Sequence, residues 1–213
     1  RDDPESWNQI SGSFFRKTNE TGAFNPMATP IVRQALDGLF GDTFWEEPPY
    51  WGGPMVTFRN RDTWEIPRGG WHLDGPAGRS VDAFTRVAVF AFLERVEPGG
   101  GGTVVAAGSH KVVRDTIAAA LPKGAWSSGK MRKALQKTEP WFGDLLSKDG
   151  PEERQHKMSV PSLSLQGHPL HVIECTGAPG DVFMTHPWLF HGGAPNANAV
   201  PRQMLLQFVH ERD

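Results

Sequence analysis

The sequence predicts a mainly β fold with flanking helices, a jelly roll whose two sheets enclose a pocket. Three observations point there. Gly 24 and Pro 18 are spread through the 213 residues instead of gathering in a tail, so the chain turns often. Apolar runs of strand length recur between those turns. One amphipathic helix stands ahead of them, ready to cover a sheet.

The elements follow in order. Thr29 reads as a helix cap and Pro30 as the first helical residue, where a missing N–H costs nothing. Ile31, Val32, Ala35, Leu36, Leu39 and Phe40 then recur at helical spacing until Gly41. Strand-like runs come next: Met55 to Phe58, Trp71 to Asp74, Thr85 to Leu93, Thr103 to Ala106, Leu170 to Cys175, Val182 to Thr185, and Gln203 to Val209. Between Val112 and Pro161 the pattern changes to helical pieces, Val113 to Leu121, Lys130 to Gln136 and Trp141 to Leu146, broken by Gly, Ser and Pro. The segment 111–161 is therefore expected to be an insertion between strands that acts as a mobile helical lid. Its stretch from Lys111 to Lys157 carries ten Lys/Arg against six Asp/Glu, with Trp126 and Trp141.

Composition narrows the function. Residues 1–213 suit a single domain. Lys plus Arg (22) against Asp plus Glu (24) leaves a net charge of −2, so no basic field awaits nucleic acid or an anionic membrane. Apolar runs such as Val87 to Leu93 are far short of a bilayer span. The single cysteine, Cys175, cannot form an internal disulfide or a thiolate cluster, which fits a cytoplasmic location. Any metal must then use His and carboxylate. The chain begins at Arg1, not Met, from which residues missing ahead of it are expected. Oligomeric state is not legible.

His72-Leu73-Asp74 is the first candidate site. Residues two apart in a strand face the same side, so an imidazole and a carboxylate stand together as two ligands of one metal would. Alone it decides nothing, because eight His and 24 acidic residues in 213 make one such motif expected by chance. The block from Gly180 to Arg202 changes that. A turn at Asn196 and Ala197 would make a hairpin with His191 and Arg202 nearly opposite, giving one pocket a third ligand and a guanidinium. His186 lies five residues before His191, an odd offset that points a strand residue the other way. Asp181 reads as a turn residue, His110 as the end of a Gly-Ser-His turn, and Cys175 as a small buried residue.

Taken together, Trp71 to Gly75, Gly101 to Lys111 and Gly180 to Arg202 resemble the phytanoyl-CoA dioxygenase family of iron(II)- and 2-oxoglutarate-dependent oxygenases. The resemblance covers roughly 55–209, with the central insertion unmatched. It implies a double-stranded β-helix, a cupin-like jelly roll, with His72, Asp74 and His191 as iron ligands and Arg202 anchoring the distal carboxylate of 2-oxoglutarate. Many members carry a Ser two residues after the distal His that also touches that carboxylate. Here the position is Gly193, so the contact is lost or supplied elsewhere, with Thr103 as the candidate. Related halogenases replace the ligating carboxylate with a small residue, so Asp74 argues against halogenation.

The chemistry of these residues agrees with that implication. Two His and one carboxylate on one face of an octahedron leave positions for a 2-oxo acid and dioxygen. A planar Arg fork suits a dicarboxylate through two charge-assisted hydrogen bonds. The expected activity is hydroxylation of a small-molecule C–H bond, with Fe(II) as cofactor, 2-oxoglutarate as cosubstrate, O2 as oxidant, and release of succinate and CO2. The rivals are a cupin-like metal isomerase or hydrolase, which has no need of Arg202, and a non-catalytic jelly-roll binding module, which has no need of an intact triad.

Overall fold

In the computed structural model, which describes residues 17–41, 44–75, 84–120, 127–148 and 150–212, a short 3-10 turn (Asn25–Met27) leads into the expected helix α1 (Pro30–Phe40). The Thr29 hydroxyl accepts the Val32 N–H at 3.3 Å, and Gly41, at φ 56°, ends the helix. Its buried stripe is Val32, Leu36 and Phe40.

The strands are β1 (Trp45–Glu46), β2 (Gly53–Thr57), β3 (Arg86–Phe92), β4 (Thr103–Ala107), β5 (Ser162–Leu163), β6 (Pro169–Glu174), β7 (Val182–Thr185), β8 (His191–Gly193) and β9 (Arg202–Glu211). They form two antiparallel sheets. One has the order β1-β9-β3-β7, with β2 also on β9, and the other the order β5-β6-β4-β8. From β6 to β9 the chain alternates between the sheets, with β7 and β9 in the first and β6 and β8 in the second, as a jelly-roll path does. Between β4 and β5 lie α2 (Ser109–Ala120), α3 (Ser128–Thr138), α4 (Pro140–Leu145) and α5 (Pro151–Ser159). Among the described residues no helix is long and apolar enough to cross a membrane.

Strand alternation sorts the core into layers. Val87, Val89, Ala91, Leu205 and Val209 pack with α1 on the outside of the first sheet. Ala88, Phe90, Phe92 and Met204 turn to the opposite, inner face. On the second sheet Val104, Ala106, Leu170 and Val172 point outward into a cluster with the helices, which leaves Thr103, Val105 and His191 on the inner side.

Three expectations need correction. The run Trp71 to Asp74 is not a strand: it makes one isolated bridge, His72 with His191. The hairpin is also absent, because β8 and β9 belong to different sheets. His191 pairs with Val105 and Arg202 with Thr57. Asn196 does build a turn, its Nδ2 donating to the Thr57 and Val200 carbonyls and its Oδ1 accepting the Asn198 N–H, but that turn carries the chain across the sandwich. The third correction concerns the lid. Helices α2 to α5 bury Val112, Val113, Ile117, Met131, Leu135, Trp141, Phe142, Leu145 and Met158 in one cluster with Trp71, Leu73 and Phe190. The insertion is a wall of the core, not a cover standing off it. Leu121 and Trp126 lie outside the described residues.

Candidate metal centre

His72 and His191 meet as a directly opposed pair. The His72 N–H donates to the His191 carbonyl at 2.8 Å, and the His191 N–H donates back to the His72 carbonyl at 3.1 Å. Opposed residues put their side chains on one face, and the two ring centroids are 4.3 Å apart. Leu73 turns outward into the core, so Asp74 returns to the face of His72. Alternation thus sets both side chains on one face although no full strand forms.

The three side chains converge. Asp74 Oδ2 is 3.1 Å from His191 Nε2, and Asp74 Oδ1 is 3.7 Å from His72 Nε2. One ligand atom from each of His72, Asp74 and His191 lies within 4.8 Å of the others. Nδ1 of His72 is 2.7 Å from the Gly70 carbonyl, and Nδ1 of His191 is 2.9 Å from that of Leu189. A carbonyl only accepts, so each Nδ1 carries a proton, and Nε2 is the ring nitrogen that faces the carboxylate. Nε2 of each ring and one carboxylate oxygen thus converge as the atoms a cation would take as ligands. Burial pushes the Asp74 carboxyl up, but the His191 contact and the nearby His72 and Arg86 outweigh it and hold the group below its ordinary value. His191 is buried and His72 half-exposed, so the centre opens on the His72 side.

Gly75 follows directly. A Cβ there would stand 1.8 Å from the Trp188 ring, so only glycine lets the chain pass that buried indole.

Arg202 begins β9 on its inner face, in the sheet opposite His191. It is buried, and its Nε and Nη1 have no hydrogen-bond partner among the described residues. Burial pushes the guanidinium down to about 10, against the opposing pull of Glu174. That carboxylate is already engaged, accepting the Gly99 N–H at 2.7 Å and the Gly102 N–H at 2.9 Å. A buried cation with open donors suits an incoming carboxylate. Thr103 is buried and pairs across the β4–β8 ladder with Gly193, at which an added Cβ would meet nothing within 4 Å. Its hydroxyl has no partner among the described residues, so it is the donor nearest in register to the side chain that Gly193 lacks.

The remaining candidates stay apart from the triad. His186 Nδ1 accepts the Trp188 N–H at 3.1 Å, and its ring packs on Phe84 and His110. Asp181 accepts the Ala178 N–H within its turn. His110 lies in the first turn of α2, where the adjacent Ser109 hydroxyl accepts the Phe190 N–H. Burial pushes the Cys175 thiol up to about 11, which suits an inert side chain. Two residues at the centre escaped the sequence reading. Arg86 Nη1 donates to the Asp74 carbonyl at 2.8 Å, and the Leu73 N–H donates to Ser128 Oγ at 3.0 Å. No local motif marks either.

Compared with known proteins, the chain matches the family model described as phytanoyl-CoA dioxygenase over residues 42–204. No curated protein matches it. Among solved structures it is similar to EvdMO1, at 15% identity over 89% of this chain and 32% of that one, with a TM-score of 0.49. It is similar to the epimerase SnoN in complex with Fe3+, alpha ketoglutarate and nogalamycin RO, at 12% identity over 74% of this chain and 47% of that one, TM-score 0.39. A third is EctD from S. alaskensis with bound Fe, at 15% identity over 89% and 54% of the two chains, TM-score 0.40. The chain spans about a third of the EvdMO1 chain and just under half of the SnoN chain.

Proposed function

The chain belongs to the phytanoyl-CoA dioxygenase family, and from that premise we propose that it is a non-haem iron(II)- and 2-oxoglutarate-dependent oxygenase that hydroxylates a small molecule. The observation that carries the reading is the convergence of one ligand atom each from His72, Asp74 and His191. Two imidazoles and one carboxylate suit iron(II) and leave ligand positions open. Iron(II) held there would supply the oxidation of a substrate C–H bond by dioxygen, coupled to conversion of 2-oxoglutarate to succinate and CO2.

The chain's own residues do the holding. His72, Asp74 and His191 would ligate the metal, with each imidazole fixed in its ligating tautomer by a backbone carbonyl. Arg202 would bind the distal carboxylate of 2-oxoglutarate through its open Nε and Nη1. Thr103 would donate to the same carboxylate in place of the serine absent at Gly193. Ala88, Phe90 and Phe92 line the inner face and keep water from that charge pair. Substrate would arrive on the exposed side of His72.

The test is turnover of the purified chain with iron(II), 2-oxoglutarate, oxygen and a panel of small molecules. Product sixteen mass units heavier, formed in step with succinate, is expected. Succinate formed with an isomer of unchanged mass would assign isomerisation instead. Failure of the iron-loaded protein to bind 2-oxoglutarate would remove the oxygenase reading.

A further inference from the structure

Two of the three metal-facing side chains ride on a segment with almost no sheet to hold it. His72 makes its single bridge to His191, and no ladder continues from Leu73 among the described residues. Two side chains from distant elements hold it instead. Ser128, the first residue of α3, accepts the Leu73 N–H at 3.0 Å. Arg86, the first residue of β3, donates from Nη1 to the Asp74 carbonyl at 2.8 Å. These pins bracket the Asp74 Cα. One pin is at the Leu73 N–H and the other at the Asp74 carbonyl, and together they restrict the stretch of backbone that aims the carboxylate.

Arg86 is itself fixed. Its guanidinium carbon lies 4.5 Å from the centre of the Phe208 ring, and Nη2 is 3.4 Å from His210 Nε2. Both partners sit on β9, whose register places His210 opposite Arg86. Alternation puts position 86 on the face of Ala88, Phe90 and Phe92, where every other side chain of β3 is apolar. A cation there whose Nε is buried with no partner among the described residues is costly, and packing alone would be better served by an aliphatic residue. The guanidinium gains its return at Asp74.

We propose that Arg86 and Ser128 are positioning residues that hold the Asp74 carboxylate in register with His72 and His191 for metal binding. This rests on reading the triad as a metal centre. The device joins three parts of the fold: β3 through Arg86, the helical insertion through Ser128, and β8 through His191. It also gives the insertion a part in the chemistry, as a wall from which one hydroxyl sets the ligand segment.

The experiment titrates the apo-protein with Co(II), followed by its visible absorption, for wild type, Arg86→Met, Arg86→Lys and Ser128→Ala, with apo melting midpoints measured alongside. Arg86→Met should weaken Co(II) binding about ten- to hundredfold and change the band shape, while Arg86→Lys, which keeps a charged donor, should recover most of the affinity. Ser128→Ala should act in the same direction, and apo midpoints should stay near wild type. Wild-type Co(II) affinity in both Arg86→Met and Ser128→Ala overturns the proposal. So does a loss in Arg86→Met that Lys does not recover and that tracks a fall in the apo midpoint, since that marks a role in folding only. Should Arg86→Met fail to fold, Ser128→Ala decides alone, and unchanged affinity there overturns the proposal. A wild type that binds no Co(II) rejects the metal centre itself, which is a separate result from variants that bind as well as wild type.

Discussion

Asp74 reaches His191 across the sandwich edge, Oδ2 to Nε2 at 3.1 Å, although they are far apart in sequence and no continuous strand joins their segments. The contact exists because His72, two residues before Asp74, exchanges both backbone hydrogen bonds with His191. One bridge thereby places a carboxylate and two imidazoles on the same face. The strength of that placement lies in backbone hydrogen bonds that are insensitive to the side chains they carry.

Arg202→Ala should raise the 2-oxoglutarate requirement by about a hundredfold or more, since a buried charged partner is lost, and leave iron binding in place. Arg202→Lys should recover only part, because an ammonium cannot supply two parallel donors. Isothermal titration of the iron-loaded proteins with 2-oxoglutarate measures both. Equal affinities in wild type and Arg202→Ala would contradict the carboxylate site.

Gly193→Ser should be tolerated and should tighten 2-oxoglutarate binding. An added Cβ meets nothing within 4 Å, and Gly193 is not among the positive-φ glycines. One new hydrogen bond to a charged group is worth about 1.5–3 kcal/mol, so a gain of roughly tenfold or more is expected. The converse variant Thr103→Val should weaken binding with little change in melting. A Gly193→Ser protein that binds the cosubstrate no better would show that this position faces away from the carboxylate.

Gly75→Ala should destabilise. The methyl group would overlap the Trp188 ring, whose nearest atom is 1.8 Å away, in a buried and close-packed place. Overpacking of this kind costs about 1–3 kcal/mol, which at this chain length lowers the melting midpoint by about 2–12 °C. Thermal unfolding of the apo-protein checks it, and an unchanged midpoint would mean that Trp188 is free to move.

Acid should unfold the protein partly through His186. Burial, with smaller effects from His110 and Arg114, pushes its imidazole from 6.5 down to about 4. The folded state therefore refuses a proton that the unfolded chain accepts near its ordinary value. Stability is full above pH 6.5, falls as pH drops toward 4, and the loss is complete below that value, where both states are protonated. His186→Asn keeps an acceptor for the Trp188 N–H and does not titrate. Melting midpoints of the apo-proteins across this range should fall less steeply in the variant, and identical slopes would contradict the assignment.

Much of this was legible in the chain, and the exceptions have physical causes. The Thr29 cap, Pro30 and Gly41 set α1 without help from the rest of the fold, and β7 spans Val182 to Thr185 as its apolar run does. The His-x-Asp spacing works because it depends on alternation alone. The path from β8 to β9 was not legible, because the Asn196 turn chemistry is the same whether the chain returns beside its own strand or crosses to the other sheet. The core role of the insertion was hidden by its Gly, Ser and Lys. Met131 and Leu135 are its telling residues in α3, four apart and both fully buried. Helix α5 has almost no apolar period to read, and β1 and β5, two residues each, are set by their neighbours. Arg86 and Ser128 reach Asp74 and Leu73 from 12 and 55 residues away, and no local pattern encodes such contacts.

Iron binding tests the central claim most directly. Anaerobic equilibrium dialysis with iron(II), followed by metal analysis, should find one iron per chain in wild type and in His186→Ala, whose ring lies outside the triad. His72→Ala, Asp74→Ala and His191→Ala should each lose most of it, because removing one of three protein ligands leaves too few to compete with water. Undiminished iron in all three variants would contradict the metal centre, and with it the oxygenase function proposed for this chain.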